Sequence, residues 1–130
     1  MVENIKPEEF RDKLDADKDF YLVDTRPRES FQEWHISGAI NFTHGEGEKL
    51  TAEGFERFKD VANVKPHEQV IAVCAKGITS TGFADQLEKH GFTDVKALAG
   101  GMEAWSGVYD RVPIATEAND LTILQLKRRA

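Results

Sequence analysis

The chain has 130 residues, 40% hydrophobic and 31% charged, which is the size of one domain with a single sizeable core and the composition of a globular protein. Seventeen basic against twenty-three acidic side chains give a formal net charge of −6, which argues against nucleic acid or an anionic membrane surface as the main partner. One cysteine rules out an internal disulfide or a cysteine-cluster metal site, and no apolar stretch has the length of a signal-peptide core or a membrane span, so the expected compartment is the reducing cytoplasm.

Pro7 followed by Glu8 and Glu9 suits a first helical turn, which tolerates the proline and favours the carboxylates. Phe10 and Leu14, four apart, would anchor a short helix there. Phe20 to Val23 is an apolar run read as a strand ending at Asp24, after which Asp24-Thr25-Arg26-Pro27 turns the chain. Arg28 to Trp34 has a helical look, with Phe31 and Trp34 three apart, and Ala39 to Phe42 reads as a third strand. Thr43 to Leu50, with Gly45 and Gly47 flanked by acids, reads as a loop. Thr51 is a suitable N-cap for a helix carrying Phe55, Phe58 and Ala62 on its inner side.

Val70-Ile71-Ala72-Val73 is a continuous apolar run, the mark of a strand buried on both faces in a parallel sheet, and Cys74 ends it. From Ser80 the period changes: Phe83, Ala84, Leu87 and His90 share a helical face, and Gly91 is placed as a C-terminal stop. Val95 to Leu98 is a further strand, and Ala99-Gly100-Gly101 leads towards Trp105. Asp110 to Ile114 would finish a domain spanning residues 1–114. Residues 115–130, with Leu121, Ile123, Leu124 and Leu126 before Lys127-Arg128-Arg129, form an extension expected to be an added helix or strand covering this domain or a second copy. Strands alternating with helices imply an α/β fold, an open parallel sheet flanked by helices on both faces, with its site at the carboxyl ends of the strands.

Cys74 falls at such an end. A lone cysteine closing an apolar strand has two readings, an inert core residue or a nucleophile. The segment Ala75-Lys76-Gly77-Ile78-Thr79 between strand and helix suits the second, although the residues alone leave both open. Its small residues and glycine let backbone N–H groups turn towards one point, and a following helix N-terminus adds partial positive charge, an arrangement that favours thiolate. Lys76 adds a cation. His44, His67 and His90 show no metal-ligand spacing relative to one another or to Cys74, so no metal and no other cofactor is expected.

Cys74-Ala75-Lys76-Gly77-Ile78-Thr79 resembles the active-site loop of the rhodanese sulfurtransferase family, in which a cysteine opens a six-residue loop with glycine in fourth place. Leu22-Val23-Asp24-Thr25-Arg26 with His35-Ile36-Ser37-Gly38-Ala39 is similar to that family's N-terminal signature, and Ala99-Gly100-Gly101-Met102-Glu103-Ala104-Trp105 to its C-terminal one. Trp34 departs from the signature, which usually has glycine before the histidine. The resemblance implies a rhodanese-like sheet and a Cys74 persulfide that takes sulfane sulfur from thiosulfate or a related small sulfur-containing anion. It implies a small thiol or protein thiol as acceptor, with cyanide the assay acceptor. Ala75, Lys76, Gly77, Ile78, Thr79 and Ser80 would bind the substrate, Lys76 by attracting its anionic end. Thr79 or Ser80 would in addition, or instead, cap the helix. Asp24, Arg26 and His35 would be structural supports. The absence of arginine in the loop, since Ser80 stands six residues after Cys74, sets the chain apart from phosphatases of the same fold. The alternative is a persulfide carrier or interaction module serving a larger sulfur-trafficking assembly, with the extension as its docking or homo-oligomer contact.

Overall fold

The computed structural model describes residues 2–16, 19–36, 38–105, 109–111 and 126–128. The elements run β1 (Glu3–Ile5), α1 (Pro7–Asp15), β2 (Tyr21–Asp24), α2 (Arg28–Glu33), β3 (Ile40–Asn41), α3 (Ala52–Ala62), β4 (Val70–Val73), α4 (Ile78–Lys89), β5 (Val95–Leu98), α5 (Gly101–Trp105), β6 (Tyr109–Arg111) and β7 (Leu126–Arg128). Strands β1 to β5 form one sheet in the order β1-β5-β4-β2-β3, with every neighbouring pair parallel. Parallel strands need crossovers, and the helices between them supply these.

All four residues of β4 are fully buried, as its unbroken apolar run requires of a central strand covered on both sides. Its side chains divide between two cores. Ile71 and Val73 join Phe10 of α1, Leu22, Trp34, Ile36, Leu98, Met102 and Trp105 on one face. Val70 and Ala72 join Phe58 and Ala62 of α3, and Phe83, Ala84 and Leu87 of α4, on the other. Helices therefore cover both faces, as expected for an open α/β sheet.

Local chemistry sets the ends of the helices. Thr51 caps α3 by accepting a hydrogen bond from the Gly54 amide at 3.0 Å, and Asn63 closes that helix in the left-handed region at φ 51°. Helix α4 begins at Ile78, two residues before the start read from the sequence, because Gly77 turns the chain in the left-handed region at φ 95° and stands at its N-cap. Neither Thr79 nor Ser80 caps it. Strand β1 was not expected; its pairing partner is β5, more than ninety residues on, through Glu3 with Lys96 and Ile5 with Leu98.

Asp24 lies opposite Val73 in register, and Ala72 opposite Ala97, so β2, β4 and β5 end together. The turns after Asp24, Val73 and Leu98 thus emerge along one edge of the sheet. Strand β6 pairs antiparallel with β7 in a separate two-stranded ribbon, Tyr109 opposite Arg128. The expected domain end at Val112 to Ile114, and the apolar residues Leu121, Ile123 and Leu124 of the expected extension, lie outside the described residues, as do Ser37 and Arg129.

Candidate functional site

Cys74 follows β4 directly, and its residue is 4% exposed. Its sulfur is not surrounded by hydrocarbon alone. The Gly77 amide donates to Sγ at 3.0 Å and the Ser80 amide at 3.3 Å, while Ser80 Oγ lies 3.2 Å away. A protonated thiol donates to that hydroxyl oxygen; a thiolate accepts from the hydroxyl instead. Two aligned amides and a hydroxyl around one sulfur form the kind of backbone concavity that holds negative charge. Among the described residues, Gly77 and Ser80 are the ones whose amides reach Sγ. Ala75 contributes its carbonyl elsewhere, Ile78 is 63% exposed at the first turn of α4, and Thr79 is half-buried beside it.

The loop is held from two sides. Thr25 donates to the Val73 carbonyl from its amide at 2.8 Å and its hydroxyl at 3.1 Å, fixing the end of β4. From the opposite side, the Met102 amide donates to the Cys74 carbonyl at 2.8 Å and the Glu103 amide to the Ala75 carbonyl at 3.0 Å. This approach requires glycine. A Cβ on Gly77 would meet the Gly100 amide nitrogen at 2.8 Å, and both Gly100 and Gly101 have positive φ. Thr81, which sequence reasoning passed over, donates from Oγ1 to the Gly77 carbonyl at 2.7 Å and so braces the turn.

Lys76 does not touch the sulfur. It lines a pocket of about 320 Å³ together with Gly100, Glu103 and Ala104. The loop pattern singled out Lys76, whereas Glu103 has no sequence signal beyond its place two residues after the paired glycines.

Asp24 and Arg26 make a buried ion pair, with Arg26 Nη2 2.8 Å and Nε 3.0 Å from the carboxylate oxygens. The same Nη2 donates to the Trp34 carbonyl at 2.6 Å, and the guanidinium lies 5.6 Å from the Trp34 ring centroid. Trp34 has φ −170°, extended backbone open to any residue, so no glycine is needed before His35; its indole joins the core. His35 Nδ1 lies 2.8 Å from the Phe31 carbonyl oxygen, its ring stacked on Phe31 at 3.8 Å. These residues tie the turn after β2 to the end of α2, and none of them is among the groups that hydrogen-bond Sγ. His44 and His90 are likewise engaged by backbone carbonyls, those of Glu48 and Leu50. The Tyr21 phenol is raised above its ordinary value, chiefly by the Glu68 carboxylate and then by burial, at the end of β2 remote from the cysteine loop.

Among the described residues, no group of three or more His, Cys, Asp or Glu could hold a metal ion, and no helix is long and apolar enough to cross a membrane.

The family model described as "Rhodanese-like domain" matches residues 6–107. A thiosulfate sulfurtransferase, GlpE, of Shewanella oneidensis is 35% identical over 88 residues, covering 68% of this chain and 77% of that protein. A putative sulfur carrier protein, YrkF, of Bacillus subtilis is 27% identical over 106 residues, covering 82% of this chain but only 52% of that protein. The chain spans about half the carrier's length and 24% of the adenylyltransferase and sulfurtransferase UBA4 of Candida albicans, which is 29% identical. Among solved structures, a rhodanese-like domain protein from Staphylococcus aureus aligns with a TM-score of 0.63 and 27% identity over 80% of this chain and 91% of its own. One from Anabaena aligns at 0.67 and 19% over 83% and 76%, a likeness of fold.

Proposed function

This chain belongs to the rhodanese-like domain family, a family of sulfur transfer, and we propose that it is a sulfurtransferase that passes sulfane sulfur through a persulfide on Cys74. The observation that carries this reading is the cradle at Sγ, with the amides of Gly77 and Ser80 aimed at the sulfur and the Ser80 hydroxyl beside it. Such donors stabilise an anionic sulfur before and after transfer, as an oxyanion hole does for oxygen.

With thiosulfate as donor, Cys74 thiolate attacks the outer sulfur. The Sγ–S bond forms as the bond to the sulfonate sulfur breaks, and sulfite leaves with the electron pair. An acceptor nucleophile then attacks the outer persulfide sulfur, releasing the Cys74 thiolate. The cycle is ping-pong covalent catalysis, and no group is oxidised or reduced at its end beyond the sulfur's change of carrier. Lys76, on the pocket rim, attracts the anionic end of the donor. Asp24, Arg26 and His35 support the turn beside the site and take no part in the transfer. A small thiol or protein thiol is the acceptor this reading proposes, and the reducing cytoplasm, where a lone thiol stays available, the compartment.

Intact-mass measurement after incubation with thiosulfate tests the reading. The wild-type protein should gain the mass of one sulfur atom and lose it on addition of cyanide, while Cys74→Ser gains nothing. No gain in the wild type with thiosulfate or any persulfide donor would overturn the enzymatic account. The similarity to a putative sulfur carrier favours a second reading, a domain that loads sulfur and hands it to a partner protein. A loaded Cys74 that releases sulfur slowly to cyanide and quickly to a protein thiol would select it.

A further inference from the structure

Strand β1, at the edge of the sheet, reaches both elements that close on Gly77. Its Ile5 carbonyl accepts from the Ala99 amide at 2.9 Å, at the entry to the Gly100-Gly101 turn that packs against Gly77. Its Asn4, opposite Ala97 in register, places Oδ1 3.2 Å from Thr81 Oγ1 near the start of α4. The same Oγ1 donates to the Gly77 carbonyl at 2.7 Å. Gly77 has no side chain to fix it and stands at φ 95°, so contacts from outside set how its peptide groups point. One of those groups matters to the sulfur, because the Gly77 amide donates to Sγ at 3.0 Å, the shorter of the two amide contacts there.

A hydroxyl has one proton and cannot donate to two acceptors. The shorter contact takes it, and the second becomes a bond when the Asn4 amide turns its Nδ2 towards Oγ1, since an amide is both donor and acceptor. A hydroxyl that accepts such a bond donates more strongly in its turn. We infer that Asn4 and Thr81 are positioning residues for the sulfur transfer through Cys74 proposed above, on which this rests. Asn4 donates to Thr81, Thr81 donates to the Gly77 carbonyl, and the residue so held keeps its amide on Sγ. Neither side chain touches the sulfur; both act through Gly77.

Single-turnover sulfur gain on Cys74 from thiosulfate, followed by mass, tests the chain of bonds. Thr81→Val removes the hydroxyl and keeps the branched shape. Its maximal rate should fall about fivefold, the scale of one neutral hydrogen bond. The half-saturating thiosulfate concentration should not move, because the bonds serve Sγ and not capture of the donor. Thr81→Ser should restore the rate. Asn4→Ala should slow loading by about twofold, the low end of that scale, because Asn4 is exposed and water replaces its amide in part. Added to Thr81→Val, it should cost nothing more, since the two act as one unit. A wild-type rate in Thr81→Val protein, a slow Thr81→Ser protein, or multiplied losses in the double variant would overturn the chain while leaving sulfur transfer intact. No gain in the wild type from any donor would remove both.

Discussion

The backbone of Gly101 lies against that of Cys74 so closely that a Cβ at position 101 would overlap the Cys74 carbonyl oxygen and come 2.6 Å from the Ala75 carbonyl carbon. These obstacles are main-chain atoms, which cannot swing aside as the tip of a side chain does. Gly101→Ala, at φ 61°, must therefore shift the loop or the start of α5. A displacement near 1 Å costs about a hundredfold in a positioned reaction, so sulfur loading of Cys74 should fall by about that factor. A native-like far-ultraviolet circular dichroism spectrum with undiminished loading would contradict this.

Ser80 is fully buried and touches the sulfur twice, through its amide and its hydroxyl. Ser80→Ala keeps the amide and removes the hydroxyl. A hydrogen bond to a charged group is worth about 1.5–3 kcal/mol, so the rate of persulfide formation should drop by about ten- to hundredfold. Single-turnover mass measurements read this directly, and a drop of less than twofold would show that the amides suffice.

The Asp24–Arg26 pair predicts an effect on stability in place of rate. Asp24→Asn leaves a buried guanidinium without its counter-charge, at a cost of about 3–5 kcal/mol. Urea unfolding should register that loss. The folded fraction should still load sulfur at close to the wild-type rate, because the pair contacts Trp34 and not Sγ. Slow loading by fully folded Asp24→Asn protein would place the carboxylate in the transfer step.

The central strands were legible because β2, β4 and β5 are short apolar runs, and a strand covered on both faces leaves that trace. The cap of α3 was legible in Thr51 for the same kind of local reason. Strand β1 was not, since Glu3-Asn4-Ile5 has one buried residue and finds its partner in β5, from Lys96 to Leu98, far along the chain. The start of α4 was obscured by Ile78, whose exposed side chain breaks the apolar period just where Gly77 makes the turn. Cys74 and its loop stood out by position and pattern. Glu103 did not, because its part in the pocket comes from the fold of the loop onto α5 and from no spacing along the chain.

That fold has a consequence for the protein's birth. The Cys74 and Ala75 carbonyls are held by amides from residues 102 and 103, which leave the ribosome more than twenty-five residues after the cysteine does. Until they arrive, the loop that carries the emerging thiol lacks these two backbone supports. The setting proposed to activate Cys74 is therefore a late acquisition of synthesis, and any fragment ending before Gly100 would carry the thiol on a loop without that support.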